Sequence, residues 1–440
     1  MEFIDEIPIG KIKRASKVAK TGAKVGINYL KYNVDKLLSD NNKEAKDKLD
    51  KANAETIYDG LKGLKGSALK AAQMLSLDKS IMPQAYVDQF SLSQFSVPPL
   101  SPALVLKTFK TYFGKSPTDL FDEFDLKSIF AASIGQVHKA KKKDKTLAVK
   151  IQYPGVSDSI SSDLALLKPI AIRMFNIKGE GSDQYFKEVE NKLKEETDYI
   201  LELKQSQEAA NACKHIEGLV FPNFYEDLSS DRIITMDWME GEHISEFAKN
   251  NTNQALANNI GQRLWDFYMF QIHTLKKVHA DPHPGNFLVS KDTKLVALDF
   301  GCMKALPDDF YIPYFELIDP NKLNNNTFFE EKLNELDILR VDDSAKERAF
   351  FKAVFFDLLS LLTKPFHNKT FDFSDDVFFE KISNMSLELA KKTELKNMNG
   401  NRGSKHFIYL NRTFFGLYNL LNMLRCNSIQ INQKQLIPTL

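Results

Sequence analysis

Apolar and polar residues alternate with the two-residue period of a β-strand on both sides of a lysine-rich turn in residues 129–156, "IFAASIGQVHKAKKKDKTLAVKIQYPGV". This pattern predicts a β-hairpin. With the turn centred between Lys143 and Asp144, Val137 pairs with Lys150. Lys150 then faces away from the apolar set of its strand, which is Leu147, Val149 and Ile151. The small residues before the hairpin predict a loop whose backbone approaches a ligand near Lys150: Ala131, Ala132, Ser133 and Gly135.

A second alternating pattern, "NFLVSKDTKLVALD", follows a proline-rich loop. We expect another hairpin, in which Asn286 pairs with about position 298 and lies beside Asp299. An amide oxygen and a carboxylate side by side suit a hard cation such as Mg²⁺ and leave room for phosphate. Asp281, in the loop, is a candidate base or orienting group. An acidic surface hairpin is the alternative reading of any one of these residues.

The 3.6-residue period of an α-helix runs through residues 182–216, and we expect one long helix there. Its apolar stripe consists of Val189, Leu193, Ile200, Leu203 and Ala210. Glu196 falls on this stripe, where a carboxylate is costly unless it is paired with a cation or a metal. Asp198 and Glu202 are four residues apart on a second face. Glu202 is therefore able to face Lys150.

A similar period in residues 54–78 predicts a helix nearer the N-terminus. Its apolar face consists of Ile57, Leu61, Leu64, Ala68, Ala71 and Leu75. Lys70 and Gln73 project together from another face, so Lys70 is a candidate partner for Glu196. A solvent-facing lysine and glutamine are the alternative, since such pairs are common on helices.

Composition narrows the class of protein. A chain of 440 residues exceeds a usual single core, so two lobes are expected. The net charge of +1 argues against a nucleic-acid binder. The cysteines Cys213, Cys302 and Cys426 form no C-x-x-C pair, which favours neither a disulfide framework nor a zinc site. No apolar run is long enough to span a membrane and no secretory signal is apparent, so a cytoplasmic chain is expected.

Residues 11–31 carry seven Lys or Arg and no acidic residue in a helix-like pattern. Such a helix contacts an anionic membrane reversibly and peripherally, or simply presents a solvated face. The Asn/Lys-rich stretches at 40–53, 249–259 and 320–326 are interpreted as linkers or loops.

Five of these residues, Lys150, Glu202, Asp281, Asn286 and Asp299, occur in the order of the protein-kinase motifs: strand lysine, helix glutamate, H-x-D-x-x-x-x-N and D-F-G. An alanine-rich "AASIGQVH" replaces the glycine-rich loop, and "LKAAQMLS" precedes the kinase core. Together with "EETDY", these motifs resemble the UbiB (AarF-type) atypical kinase family, from about residue 55 to 310.

The resemblance implies ATP and Mg²⁺ as cofactors. It implies that Lys150 contacts the α- and β-phosphates and pairs with Glu202, that Asn286 and Asp299 hold Mg²⁺, and that Asp281 is catalytic. The nucleotide-site candidates that it adds are the loop residues Ala131, Ala132, Ser133 and Gly135, the hinge residue Met236, Lys70 and Gln73 of the N-terminal extension, and Glu196 and Asp198 of the E-x-D motif. In this family the extension covers the groove where ordinary kinases place a peptide, and Lys70 meets Glu196.

Two residues depart from the family pattern. Ala72 replaces the motif glycine, and Phe130 stands where an alanine triplet usually begins. The expected fold is α+β and two-lobed: a helical extension at 1–100, a kinase-like lobe with a small antiparallel sheet at 101–240, and a mainly helical lobe at 241–440. The C-terminal membrane helices of many bacterial members are not found in this sequence.

The function that the resemblance implies is ATP hydrolysis or phosphoryl transfer to a small or lipid-like substrate, in support of isoprenoid quinone (ubiquinone or menaquinone) biosynthesis and with proteins of that process as partners. One alternative is a small-molecule kinase of the aminoglycoside or choline type, because "HADPHPGNFLV" also resembles its catalytic loop. Those enzymes lack the "LKAAQ" and "AASIGQ" elements. The other alternative is a nucleotide-sensing scaffold without catalysis.

Overall fold

The computed structural model describes residues 11–38, 42–64, 66–76, 85–86, 89, 99–131, 134–175, 181–391 and 402–431. The chain divides into two compact units. The first unit contains Met1–Leu203, Phe224–Trp238 and Ser386–Asn397, and the second contains Lys204–Asn223, Met239–Met385 and Met398–Leu440. Small antiparallel sheets and a majority of helix give the two-lobed, kinase-like α+β fold that the sequence predicts. The domain limits proposed from the sequence stay a prediction.

The first unit begins with helices and continues into a sheet. Its helices are α1 (Lys11–Leu38), α2 (Asn42–Leu64), α3 (Ser67–Ser76), α4 (Pro102–Phe113), α5 (Pro117–Leu120), α6 (Val156–Phe175), α7 (Gly181–Glu196) and the start of α8 (Tyr199–Cys213). Its strands are β1 (Glu123–Phe124), β2 (Phe130–Ala131), β3 (Gly135–Lys142), β4 (Lys145–Gln152) and β6 (Ile233–Asp237). One apolar core runs from Val25 in α1 to Ile233 in β6. The N-terminal helices and the sheet therefore share a core.

Two sequence interpretations of the N-terminal helices are wrong. Residues 42–53 belong to α2 rather than to a linker, because Lys, Glu and Ala favour helix and the segment buries Leu49 and Asn53. The helix expected over residues 54–78 is interrupted at Gly66, which has a φ of +65°. The break turns α3 so that it packs against α6 and α7.

The sheet of the first unit has the order β1-β3-β4-β6, and β2 also pairs with β3. The register pairs Val137 with Lys150, as the sequence predicts. One face of the sheet enters the core through Ala140, Leu147, Val149, Ile151 and Ile233. Lys150 lies on the opposite face, because neighbouring residues on a strand point to opposite sides.

The second unit is mainly helical. Its helices are the rest of α8, α9 (Ile244–Asn250), α10 (Gln254–His273), α11 (Asp308–Glu316), α12 (Pro320–Asn324), α13 (Asn326–Glu335), α14 (Ala345–Leu362), the part of α15 (Asp376–Lys391) that ends at Met385, and α16 (Lys405–Met423). Its strands are β5 (Leu219–Val220), β7 (Glu242–His243), β8 (Lys277–His279), β9 (Phe287–Val289), β10 (Leu295–Ala297), β11 (Met303–Ala305), β12 (Thr370–Phe371) and β13 (Ile429–Gln430). The largest sheet of this unit has the order β5-β10-β9-β7, in which β5 and β10 are parallel and the other pairs are antiparallel.

The loops expected at 249–259 and 320–326 are largely helical. Asn253 caps α10 by accepting from the Leu256 amide, and Asn325 caps α13 by accepting from the Phe328 amide. The asparagines that suggested linkers mark helix starts instead. The apolar stretches in α14 and α16 bury large side chains in the core of the second unit. Within the part of the chain that the structure describes, no helix is both long and apolar enough to cross a membrane.

Candidate active site

Lys150 and Glu202 form an ion pair in the first unit. The Lys150 Nζ lies 2.6 Å from Glu202 Oε1. Glu202 is buried, and the Lys150 ammonium also lies 5.1 Å from the ring centroid of Tyr199. A short charge-assisted contact at a mostly buried position fixes the lysine on its face of the sheet. This arrangement can present one positive charge to a phosphate.

The prediction of a single helix over residues 182–216 is wrong, because the helix is interrupted at Thr197 and Asp198, between α7 and α8. The Thr197 hydroxyl donates to the Lys194 carbonyl, and Asp198 Oδ1 accepts from the Leu201 amide at 3.0 Å. Asp198 therefore caps α8 and is exposed. The break also leaves Ile200, expected on the buried stripe, 48% exposed.

The last residue of α7, Glu196, meets the N-terminal helices. Its Oε2 lies 2.9 Å from the Lys70 Nζ on α3. The Lys70 side chain is 26% exposed and the Glu196 side chain is 16% exposed. The pair is therefore less buried than the position of Glu196 on the apolar stripe of its helix predicted. The Gln73 side chain lies outside the described residues.

A second polar contact to the N-terminal helices escaped the sequence analysis. Arg14 on α1 is 3% exposed and binds Asp163 on α6, which is 1% exposed; the Arg14 Nε lies 2.6 Å from Asp163 Oδ1. The hydroxyl of Ser67, the first residue of α3, donates to the same carboxylate, and the Arg14 guanidinium also donates to the Leu64 carbonyl. The available signal was weak: Asp163 sits on the apolar helix "SDLALL".

The loop before β3 is described in part. Ala131 pairs with Gln136, and Ala132 and Ser133 lie outside the described residues. Gly135 is buried, and a Cβ placed there would meet the Ile151 carbonyl at 2.7 Å and the Tyr199 hydroxyl at 2.9 Å. Glycine is therefore required for the close approach. Met236 pairs with Ala148, two residues from Lys150, and so shares its face of the sheet.

The second unit carries Asp281, Asn286 and Asp299. The Leu298 amide donates to the Asn286 carbonyl at 3.0 Å, so the expected register of this hairpin is confirmed. The Asn286 Nδ2 donates to the Asp281 carbonyl at 3.0 Å, and Asp299 Oδ1 accepts from the Gly301 amide at 2.8 Å. These bonds orient the Asn286 amide and the Asp299 carboxylate within one loop and hairpin.

Arg412 on α16 reaches the same loop. Its Nη2 lies 2.9 Å from Asp281 Oδ1. One turn later, Gly416 allows the helix to approach closely, because a Cβ there would meet the Pro282 Cγ at 2.2 Å. The sequence analysis missed Arg412, although a lone charge within the apolar "FIYLNRTFFGLYNLL" needs a partner.

Buried polar groups support the loop from α10. The Tyr268 hydroxyl lies 3.4 Å from the His279 Nδ1, and the His279 amide donates to the Gln271 side chain. Burial raises the pKa of Tyr268 well above its usual value, and the nearby Asp281 carboxylate raises it further. The phenol therefore stays protonated and able to donate.

A divalent cation suits Asn286 and Asp299. Among the residues that the structure describes, no three His, Cys, Asp or Glu side chains form a cluster able to hold a metal. Mg²⁺ needs no such cluster, since one or two oxygen ligands with water and substrate phosphates complete its octahedron. The Asn286 amide donates through its nitrogen, which leaves its oxygen as a ligand.

A lysine on a β-strand paired with a helix glutamate, together with an aspartate-asparagine loop and a D-F-G hairpin, defines a protein-kinase-like protein. The model of the ABC1 atypical kinase-like domain matches residues 92–326. The chain belongs to this family, which the UbiB/AarF resemblance predicts.

Several curated proteins are similar to the chain. Protein ACTIVITY OF BC1 COMPLEX KINASE 8, chloroplastic, of Arabidopsis thaliana is 32% identical over 58% of this chain and 35% of its own length. Atypical kinase COQ8, mitochondrial, of Saccharomyces cerevisiae is 29% identical over 88% of this chain and 78% of its own length. AarF domain-containing protein kinase 1 of Mus musculus is 30% identical over 58% of this chain and 50% of its own length.

The chain thus spans half or less of the length of two of these three relatives. A solved structure of Rv3197 from Mycobacterium tuberculosis, in complex with erythromycin, has a TM-score of 0.60 and 21% identity. The similarity covers 90% of this chain and 99% of the Rv3197 chain. This likeness concerns the fold.

Proposed function

We propose that this protein binds ATP with Mg²⁺ and catalyses ATP hydrolysis or phosphoryl transfer to a small or lipid-like acceptor. The observation that carries the proposal is the 2.6 Å ion pair between Lys150 and Glu202, on the face of the sheet opposite the main core of the first unit. A lysine held in this way suits the α- and β-phosphates of a nucleotide.

The other site residues take the roles that the kinase-like class implies. Asn286 and Asp299 would hold Mg²⁺, which neutralises charge on the phosphates when bound. Asp281 orients the acceptor and receives its proton, and Arg412 fixes the direction of the Asp281 carboxylate. Lys70, Glu196 and Asp198 set the position of α3 against α7 and the start of α8.

A nucleotide titration tests this proposal. Mg-ATP should raise the unfolding temperature of the wild type, since a ligand that binds the folded state stabilises it. Lys150→Ala and Asp299→Ala should remove most of this stabilisation. Lys141→Ala is the matched control, because Lys141 lies near the hairpin turn, is exposed, and pairs with the exposed Glu123. Equal stabilisation of all four proteins would contradict the proposal.

The biological role proposed is support of isoprenoid quinone biosynthesis. It rests on the family and on relatives named COQ8 and coq-8. Quinone profiling of cells that lack the protein, complemented with wild type or with Asp299→Asn, tests it. Restoration by the variant would favour the nucleotide-sensing scaffold over the catalyst. Unchanged quinone levels in the deletion strain would contradict the proposed role in quinone biosynthesis.

We also propose reversible, peripheral contact between α1 and an anionic membrane, in an otherwise cytoplasmic protein. Lys20, Lys24 and Lys31 are exposed on this helix, close to Ile27 at 52% and Leu30 at 67% exposure. Exposed apolar side chains among lysines favour the interface of anionic lipid. Flotation with phosphatidylglycerol vesicles should exceed flotation with phosphatidylcholine vesicles, and Leu30→Ser should reduce it.

A further inference from the structure

One face of the first unit's sheet carries more than Lys150. Residues directly opposite one another on paired strands share a face, as do residues two apart on one strand. The pairs Val137 with Lys150 and Lys139 with Ala148 therefore belong to a single surface. Met236, opposite Ala148, continues this surface onto β6.

Two aromatic side chains lie at opposite edges of this surface and meet across it. Phe130 on β2 is opposite Val137, and the Trp238 amide donates to the Thr146 carbonyl at the end of β4. The centroids of the Phe130 and Trp238 rings are 6.4 Å apart, and their planes differ by 12°.

The aromatic pair is accessible and positively flanked. Phe130 is 52% exposed, which is unusual for so large an apolar residue, and Trp238 is partly exposed. The Lys139 Nζ lies 4.9 Å from the Trp238 ring centroid. Burial of apolar surface does not explain this arrangement, because the rings lie on the side of the sheet away from Ala140, Leu147 and Val149. Flat aromatic surfaces beside a positive charge suit a ligand with a planar ring system and phosphates.

We propose that Phe130 and Trp238 form a stacking platform for the nucleobase, so that these two residues contribute affinity for a purine nucleotide whose phosphates Lys150 receives. This inference rests on the proposed ATP binding and adds the element that holds the base. It also gives a role to Phe130, the residue that departs from the alanine-rich family pattern.

The chain contains two tryptophans, which allows a direct test. Trp265 is buried in the second unit, so a Trp265→Phe background leaves Trp238 as the fluorescent reporter. Mg-ATP should quench Trp238 emission, whereas Mg-tripolyphosphate, which has no base, should leave it unchanged. Phe130→Ala should raise the Kd for Mg-ATP about tenfold, since a base stacked on an aromatic ring contributes directly to binding affinity. It should not change the Kd for Mg-tripolyphosphate.

Ile129→Ala is the matched control, because Ile129 is 47% exposed and adjacent in sequence to Phe130. Calorimetric titration with Lys150→Ala separates the two proposals. If the wild type does not bind Mg-ATP, the proposed function fails and the platform with it. If Lys150→Ala weakens binding while Phe130→Ala and Ile129→Ala bind as the wild type does, the platform alone is overturned. Tighter binding by Phe130→Ala would also overturn it, because the rings would then obstruct the base.

Discussion

The two units hold their polar site residues in different ways. In the first unit, ion pairs join segments that are far apart in sequence: Arg14 with Asp163, Lys70 with Glu196 and Lys150 with Glu202. In the second unit, most contacts lie within one loop and hairpin, such as Asn286 with the Asp281 carbonyl and Asp299 with the Gly301 amide. The Arg412–Asp281 pair adds a long-range contact to this loop.

Substitutions of polar site residues are therefore expected to act differently in the two units. Residues in the first unit depend on packing between helices and sheet, so a single charge removed there affects distant segments. The loop of the second unit depends on local geometry, which short-range hydrogen bonds preserve. The two ion pairs that involve the N-terminal helices also differ in burial. Arg14–Asp163 is almost fully buried, whereas Lys70–Glu196 is partly exposed.

The largest effect is expected at Arg14. Arg14→Ala leaves Asp163 charged and buried, and removing one partner of a buried pair costs about 3–5 kcal/mol. Urea unfolding followed by Trp238 emission in the Trp265→Phe background should show this loss in the first unit. Lys20→Ala, on the exposed side of the same helix, is the control. A similar small change in both variants would show that the pair does not anchor α1.

The next effect concerns the Arg412–Asp281 pair of the second unit. Arg412→Ala should lower the rate of ATP turnover about 100-fold with little change in KM, because a misdirected Asp281 carboxylate loses its orientation toward the acceptor. Arg412→Lys should restore part of the rate. Arg425→Ala removes an exposed ion pair with Asp376 at the end of the same helix and should have no effect. Equal rates for Arg412→Ala and Arg425→Ala would refute the positioning role.

A third prediction concerns pH and the second unit alone. Burial, and then the nearby Lys276 charge, lower the pKa of His273 to about 3, while its Nδ1 stays bonded to the Tyr311 hydroxyl. In the unfolded chain, His273 takes up a proton near pH 6.5, whereas in the folded protein it stays neutral until about pH 3. The contribution of neutral His273 to the free energy of unfolding is therefore complete above pH 6.5. Between pH 6.5 and pH 3 this contribution falls by ~1.4 kcal/mol per pH unit.

Urea midpoints read from Trp265 emission in a Trp238→Phe background should follow this slope. His273→Gln should flatten it, and His215→Gln, at an exposed position, should not. A slope that persists in His273→Gln would assign the acid sensitivity to other groups.

The smallest effect is expected at Lys70 and Glu196. Their partial exposure reduces the expected coupling to about 1 kcal/mol, below that of a fully buried pair. A double-mutant cycle with Lys70→Ala and Glu196→Ala measures it, and a parallel cycle on the exposed Lys141–Glu123 pair should give no measurable coupling. Strictly additive losses at Lys70 and Glu196 would mean that this contact does not hold the N-terminal helices.

The helix breaks show where sequence reasoning reached its limit. Period alone predicted one helix over 54–78 and another over 182–216, yet Gly66 and the Thr197–Asp198 step interrupt them. Each break carried a local signal, a glycine or a capping aspartate, that a continuous apolar stripe obscured. The opposite error occurred at Asn253 and Asn325, where linkers were predicted although each asparagine caps the start of a helix.

Both hairpin registers follow from the amino-acid sequence alone, because a two-residue period and a short turn leave one pairing that keeps the apolar residues together. The sequence also determined the kinase-like order of Lys150, Glu202, Asp281, Asn286 and Asp299. Three contacts became visible only in the folded protein: Arg14 with Asp163, Arg412 with Asp281, and Phe130 with Trp238. These partners are separated by 149, 131 and 108 residues, so their contacts follow from the packing of whole elements, which no local period or spacing encodes.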